Sequence, residues 1–146
     1  MEIKSRAFKG GEHIPSRYTC DGENFNPPLE IYDIPQEAQS LAIVVDDPDA
    51  PSGMWVHWLL WNIPVDNHSM EENSPPESAV YGTNSFGKLE YGGPCPPFGT
   101  HRYFFKVYAL DRELQLPEGA TKEELMNAMK EFQIDSAQLT GLYSRR

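Results

Sequence analysis

The chain has 146 residues, 39% of them hydrophobic and 23% charged, which predicts one globular domain over residues 1–146 rather than a disordered chain. Twelve lysines and arginines against 22 acidic residues give a formal net charge of −10, which argues against nucleic acid and anionic membrane surfaces as partners. No apolar stretch approaches the roughly 18 residues of a membrane span, and the N-terminus lacks a signal-peptide core. We therefore expect a cytoplasmic protein without integral membrane association.

Six segments have the composition of β-strands, three of them strongly. In chain order they are the weaker candidates Ile3–Phe8 and Leu29–Ile34, the strong candidates Ser40–Asp47 and Trp55–Ile63, the weaker Val80–Thr83 and the strong His101–Leu110. Trp55–Ile63 is apolar on both faces, which is typical of a central strand.

One helix is predicted near the end of the chain. Thr121 and Glu124 have the spacing of a capping box, in which each side chain bonds the backbone of the other residue. Leu125, Met129 and Phe132 then recur at helical spacing, which favours core packing for this face. Many strands with one late helix predict a mainly β protein, an antiparallel β-sandwich with one or two short helices.

Polar residues close the apolar face of each strong strand, because side chains alternate along a strand. The predicted faces are Asp47 with Leu41, Ile43 and Val45; His57 with Trp55, Leu59, Trp61 and Ile63; and His101 and Tyr103 with Phe105, Val107 and Ala109. The loop between the first two strands has hairpin length, so we expect Asp47 and His57 to meet at one end of the sheet. If the third strand starts at that end, His101 and Tyr103 join them.

A carboxylate, two imidazoles and a phenol at the mouth of an apolar core outline a small-ligand pocket. The Pro-rich loop Gly92–Thr100 leads into His101, and its glycines leave backbone amides free. Protonated imidazoles and free amides suit a phosphate or another oxyanion. Taken singly, a histidine at a strand end, the turn Asp47–Pro51 and a rigid loop are each typical of purely structural roles. Their expected convergence favours the ligand site.

Other motifs point to weaker alternatives. Gly82–Lys88 is similar to a phosphate-binding loop, but Leu89 replaces the required serine or threonine and no helical pattern follows. No spacing matches a zinc motif, so we expect no metal and no cofactor. Ser52 or Cys95 beside a histidine would be the candidate nucleophile of a hydrolase. Cys20 and Cys95 form no Cys-x-x-Cys pair, and a bond between them is left open.

Two regions of the chain together resemble the signature regions of the phosphatidylethanolamine-binding protein family, which includes Raf kinase inhibitor protein. They are Asp47-Pro48-Asp49-Ala50-Pro51 with Trp55-Val56-His57, and Gly93-Pro94-Cys95-Pro96-Pro97-Phe98-Gly99-Thr100-His101-Arg102-Tyr103. The segments Ile14–Gly22 and Leu142-Tyr143 resemble the bacterial and archaeal branch, so the resemblance covers nearly the whole chain.

The resemblance implies a large antiparallel sheet packed on a smaller one, with an anion pocket at one end. The ligand-binding residues that it implies are Asp47, Asp49, Trp55, His57, Pro96, Pro97, His101 and Tyr103. Members of the family bind phosphate head groups and phosphorylated residues, several inhibit kinases or serine proteases, and prokaryotic relatives often form homodimers. They are not known chiefly as enzymes.

Three functions follow as hypotheses. The first is a non-catalytic protein that binds a phosphate-bearing or similar anionic ligand and from that site regulates a partner. The second is an inhibitor of a serine protease or kinase that acts through surface loops. The third is a hydrolase that uses Asp47, His57 and His101.

Overall fold

The computed structural model describes residues 1–145, which contain eight strands and one α-helix. In chain order they are β1 (Glu2–Lys4), β2 (Leu29–Tyr32), β3 (Ser40–Asp47), β4 (Trp55–Ile63), β5 (Ser69–Met70), β6 (Val80–Tyr81), β7 (Thr100–Leu110), α1 (Lys122–Met129) and β8 (Gln133–Ser144), with a 3-10 turn at Ser16–Tyr18. The order β6-β4-β3-β7-β8 forms a large sheet and β1-β2-β5 a small one. All named pairs are antiparallel, which confirms the predicted sandwich.

The three strong strand predictions are confirmed as β3, β4 and β7, and the three weaker ones as the shorter β1, β2 and β6. No strand was predicted after the helix, yet β8 is 12 residues long and pairs with β7 along its whole length. It is the edge of the large sheet, and in its first half polar residues outnumber the apolar Ile134 and Ala137. That composition hides the strand from a search for apolar alternation.

The large sheet is buried on both of its faces. One face packs on the small sheet, whose Ile3, Leu29 and Ile31 join that core. The other face lies under α1, which contributes the fully buried Leu125 and Met129. Burial on both faces explains why the sequence of the central strands is apolar throughout.

The helix α1 begins as predicted and is tied to the sheet by charge. The Thr121 hydroxyl accepts from the Glu124 backbone at 3.2 Å, and the Glu124 carboxylate accepts from the Thr121 backbone at 2.9 Å. Lys122 donates to the buried Asp46 carboxylate at 2.8 Å, and Lys106 donates to it at 3.1 Å.

Between residues 1 and 145, no helix is long and apolar enough to cross a membrane.

Strand β4 contains a bulge at His57. Val45 of β3 pairs with Trp58, and the next residue, Asp46, pairs with Val56, so His57 is left without a partner. The extra residue interrupts the alternation of side chains, because two successive residues of one strand now face the same side. His57 and Trp58 therefore both lie on the side of the small sheet, where each contacts residues of that core.

The sequence predicted that Leu59 and Trp61 share a face of β4 with His57, and this prediction is wrong. Leu59 and Trp61 pack under α1, on the opposite side of the sheet from His57. The bulge is the reason, since strict alternation would have kept all three together.

Candidate functional site

A cavity of about 340 Å³ lies where β3 ends and where β4 and β7 begin. Its lining is formed by Asp47, Ala50, Pro51, Ser52, Trp55, His57, Phe86, Cys95, Pro96, Pro97, His101 and Tyr103. The structure thus brings together the four polar residues that were expected to converge, and seven of the eight candidate ligand-binding residues lie in the lining. That they bind a ligand stays a prediction.

Asp47 and His101 form a buried pair in this lining. Nδ1 of His101 lies 2.7 Å from Oδ2 of Asp47 and donates its hydrogen to that oxygen. The other Asp47 oxygen accepts from the Asp49 backbone at 2.7 Å, which shapes the turn after β3. The carboxylate therefore orients the imidazole.

His57 is held by the backbone rather than by an acid. Its Nδ1 lies 2.6 Å from the carbonyl oxygen of Gly92, and a carbonyl only accepts, so Nδ1 carries the hydrogen. Burial lowers the pKa of His57 below its ordinary value of 6.5, despite the opposing effects of this bond and of Asp47. The ring is thus neutral near pH 7, with the lone pair on Nε2.

Tyr103 supplies a phenol between the two imidazoles. Its ring stands edge-on to His57 at 5.3 Å and stacks on His101 at 6.3 Å. Burial, and next the negative charge of Asp47, raise the pKa of Tyr103. The hydroxyl therefore keeps its hydrogen and can donate to an anion.

Asp49 is the candidate that the structure places outside the lining. Its carboxylate accepts from the backbone of Arg102 at 2.9 Å and from the guanidinium at 2.9 and 2.8 Å. These hydrogen bonds lower the pKa of Asp49 to about 2. The prediction that Asp49 lines the pocket is wrong, because the nearby arginine draws the carboxylate to the start of β7.

The proline wall of the cavity is anchored to the segment after the 3-10 turn. Cys95 forms a disulfide with Cys20, the bond that the sequence left open. The Cys20 backbone donates to the carbonyl of Pro94 at 3.1 Å, and the Gly93 backbone donates to the Asn24 side chain at 2.8 Å. Because Cys95 is oxidised, it cannot serve as the thiolate nucleophile that the hydrolase hypothesis considered.

Five lining residues were absent from the candidate set, namely Ala50, Pro51, Ser52, Phe86 and Cys95. The first three belong to the hairpin loop between Asp47 and His57, and Cys95 to the Pro-rich loop, so their neighbours in sequence could have indicated them. Phe86 comes from the Gly82–Lys88 segment, for which no sequence signal indicated a place in this site.

Among residues 1–145, no three His, Cys, Asp or Glu side chains come together as a metal-binding group. Asp47, His57 and His101 are therefore not arranged as the open metal site that their residue types would allow.

A model of the phosphatidylethanolamine-binding protein family matches residues 4–144. A UPF0098 protein of Methanothermobacter thermautotrophicus is 52% identical over 150 residues, which cover 99% of both chains. A phosphatidylethanolamine-binding protein homologue of Chlamydia trachomatis superposes with a TM-score of 0.95 at 41% identity, covering 99% of this chain and 97% of its own. YbcL of Escherichia coli superposes with a TM-score of 0.92 at 30% identity, covering 99% and 98%.

The chain belongs to the phosphatidylethanolamine-binding protein family. Membership supports a role in binding in general and agrees with the two-sheet fold. The bacterial and archaeal resemblance of the sequence is confirmed as well, since the UPF0098 relatives come from both groups.

Proposed function

We propose that this chain is a non-catalytic binding protein whose cavity takes a small ligand carrying a phosphate or similar anionic group. One observation carries the proposal: each imidazole in the lining has its Nδ1 hydrogen committed to a protein oxygen. Within residues 1–145, Nε2 of His57 and Nε2 of His101 have no hydrogen-bond partner. Both atoms are therefore available to a ligand in the cavity.

Binding of a phosphate at these two atoms requires a proton. A neutral Nε2 only accepts, so it cannot hold a phosphate dianion. Either an imidazole takes up a proton and donates it, or the ligand binds as the monoanion and donates its own hydrogen to Nε2; the second ionisation of a phosphate monoester has a pKa of about 6. In both cases the complex holds one more proton than the separate neutral imidazole and dianion. Affinity therefore weakens as the pH rises.

The two imidazoles have different partners in the lining. Nδ1 of His101 donates to the Asp47 carboxylate at 2.7 Å. Nδ1 of His57 donates to a backbone carbonyl instead, and burial lowers the pKa of this ring. Tyr103 adds a neutral donor, and the rest of the lining is largely apolar, which strengthens each polar contact.

Calorimetric titration of phosphorylethanolamine at pH 6 and pH 8 tests the proposal. One linked proton changes the affinity by up to about tenfold per pH unit, so we expect clearly weaker binding at pH 8. His101→Asn keeps a donor for Asp47 but removes Nε2, and it should lose most of the affinity. His68→Asn is the matched control, because His68 is exposed and outside the lining.

Three results would overturn parts of this function. Absence of binding by the wild type would refute the anion pocket. Equal affinity at both pH values would refute the proton-linked contact. Release of inorganic phosphate, followed by ³¹P NMR, would show a hydrolase and refute the non-catalytic role.

A second candidate function is inhibition of a serine protease or kinase through a surface loop. Phe98 is 70% exposed at the tip of the Pro-rich loop, and Gly99 turns the chain there with φ of +74°. An exposed aromatic side chain on a stiffened loop is typical of a protein-binding anchor. Inhibition that is lost in Phe98→Ala and kept in His101→Asn would support this candidate. The reverse result would place inhibition in the cavity.

A further inference from the structure

The loop that carries Phe86 is shaped by one buried side chain, Asn84. The Asn84 amide oxygen accepts from the backbone of Phe86 at 2.9 Å and of Lys88 at 3.0 Å. Its nitrogen donates to the carbonyl of Glu90 at 2.7 Å and to the carbonyl of His57 at 3.3 Å. All donor and acceptor positions of the amide are thus used. The position of the loop is therefore set relative to His57 itself.

The Phe86 ring is held against the aromatic side of the cavity. It stands edge-on to Trp55 at 5.5 Å and to His57 at 5.5 Å. A Cβ at Gly92 would lie 2.6 Å from two carbons of the ring, so any residue other than glycine at position 92 would displace the ring. In spite of these contacts Phe86 is 42% exposed, and it lines the cavity together with Trp55 and His57.

We propose that Phe86 is a specificity-determining residue, which selects organic phosphate monoesters over inorganic phosphate. A phosphate that reaches His57 and His101 directs its ester substituent toward the side of the cavity where Phe86 and Trp55 offer apolar surface. An ester with a short apolar substituent covers the exposed part of the Phe86 ring, whereas inorganic phosphate leaves it in water. This inference rests on the proposed anion pocket.

The test compares the affinities of propyl phosphate and inorganic phosphate at pH 6. The wild type should favour propyl phosphate, and Phe86→Ala should reduce that preference by about fourfold for each CH2 group that the ring shields from water. Phe86→Leu retains apolar bulk and should keep most of the preference. It is the second variant to measure if Phe86→Ala does not fold. Leu89→Ala is the control, because Leu89 is also exposed on this loop but outside the lining.

The outcomes separate this inference from the proposed function. If the wild type binds neither phosphate, the anion pocket itself fails. If it binds both and the preference is the same in Phe86→Ala, the pocket stands and the role of Phe86 is refuted. If Phe86→Ala weakens both ligands equally, Phe86 only supports the cavity wall, which also overturns the proposal.

Discussion

Replacing both cysteines by serine removes the cross-link between the proline wall and the N-terminal segment. The Cys20–Cys95 bond spans 75 residues. A closed loop of that length lowers the conformational entropy of the unfolded chain by an amount equivalent to about 4 kcal/mol at 25 °C. Total stabilities of about 5–15 kcal/mol are usual for domains. The double variant Cys20→Ser with Cys95→Ser is therefore expected to lose a large share of its free energy of unfolding.

Urea unfolding of the oxidised wild type, the reduced wild type and the double variant measures this loss. With a slope of about 2 kcal/mol per molar urea, a loss of about 4 kcal/mol moves the midpoint down by roughly 2 M. The reduced wild type and the double variant should agree, and a reductant should leave the double variant unchanged. A difference below about 1 kcal/mol between oxidised and reduced wild type would refute the entropic reasoning.

Two further predictions concern the surroundings of the cavity. Gly93→Ala should destabilise the protein by about 1–3 kcal/mol, because the added methyl group would collide with the carbonyl oxygen of Tyr18. Thermal unfolding measures this loss, and Gly10→Ala is the control, because a Cβ at Gly10 would meet no atom closer than 3.8 Å. Arg102 lowers the pKa of Asp49 from 3.8 to about 2, so Asp49 contributes stability that is fully present above pH 4 and is lost as the pH falls toward 2. In urea titrations across that window Asp49→Asn should flatten the loss, and an unchanged slope would contradict the ion pair's role.

The sequence predicted the cavity lining where local pattern and geometry coincide. Asp47 closes β3, and alternation places His101 and Tyr103 on one face at the start of β7; the antiparallel pairing of β3 with β7 then brings the three side chains to the same end of the sheet. The family resemblance added Trp55 and the proline wall. The strong strands were found because buried strands need β-branched and aromatic residues.

The remaining parts depend on contacts between residues that are distant in sequence. Phe86 reaches the cavity only because Asn84 folds its loop onto β4. Asp49 leaves the lining because Arg102, 53 residues later, bonds it. The edge strand β8 is stabilised by its ladder with β7 rather than by its own apolar pattern. None of these pairings is encoded in a local period of the sequence.

The bulge in β4 makes the presence of an imidazole in the cavity depend on the length of a single strand. With Val56 deleted, regular alternation back from Trp58 would turn His57 toward the helix side and close the ladder with β3. The cavity would lose the His57 imidazole without any change in the identity of that residue, and His101 would remain. In the evolution of this fold, the loss or gain of one codon in β4 is therefore enough to remove or add one of the two imidazoles of the cavity, and comparison of relatives must count residues between Trp55 and Trp58 as well as identify them.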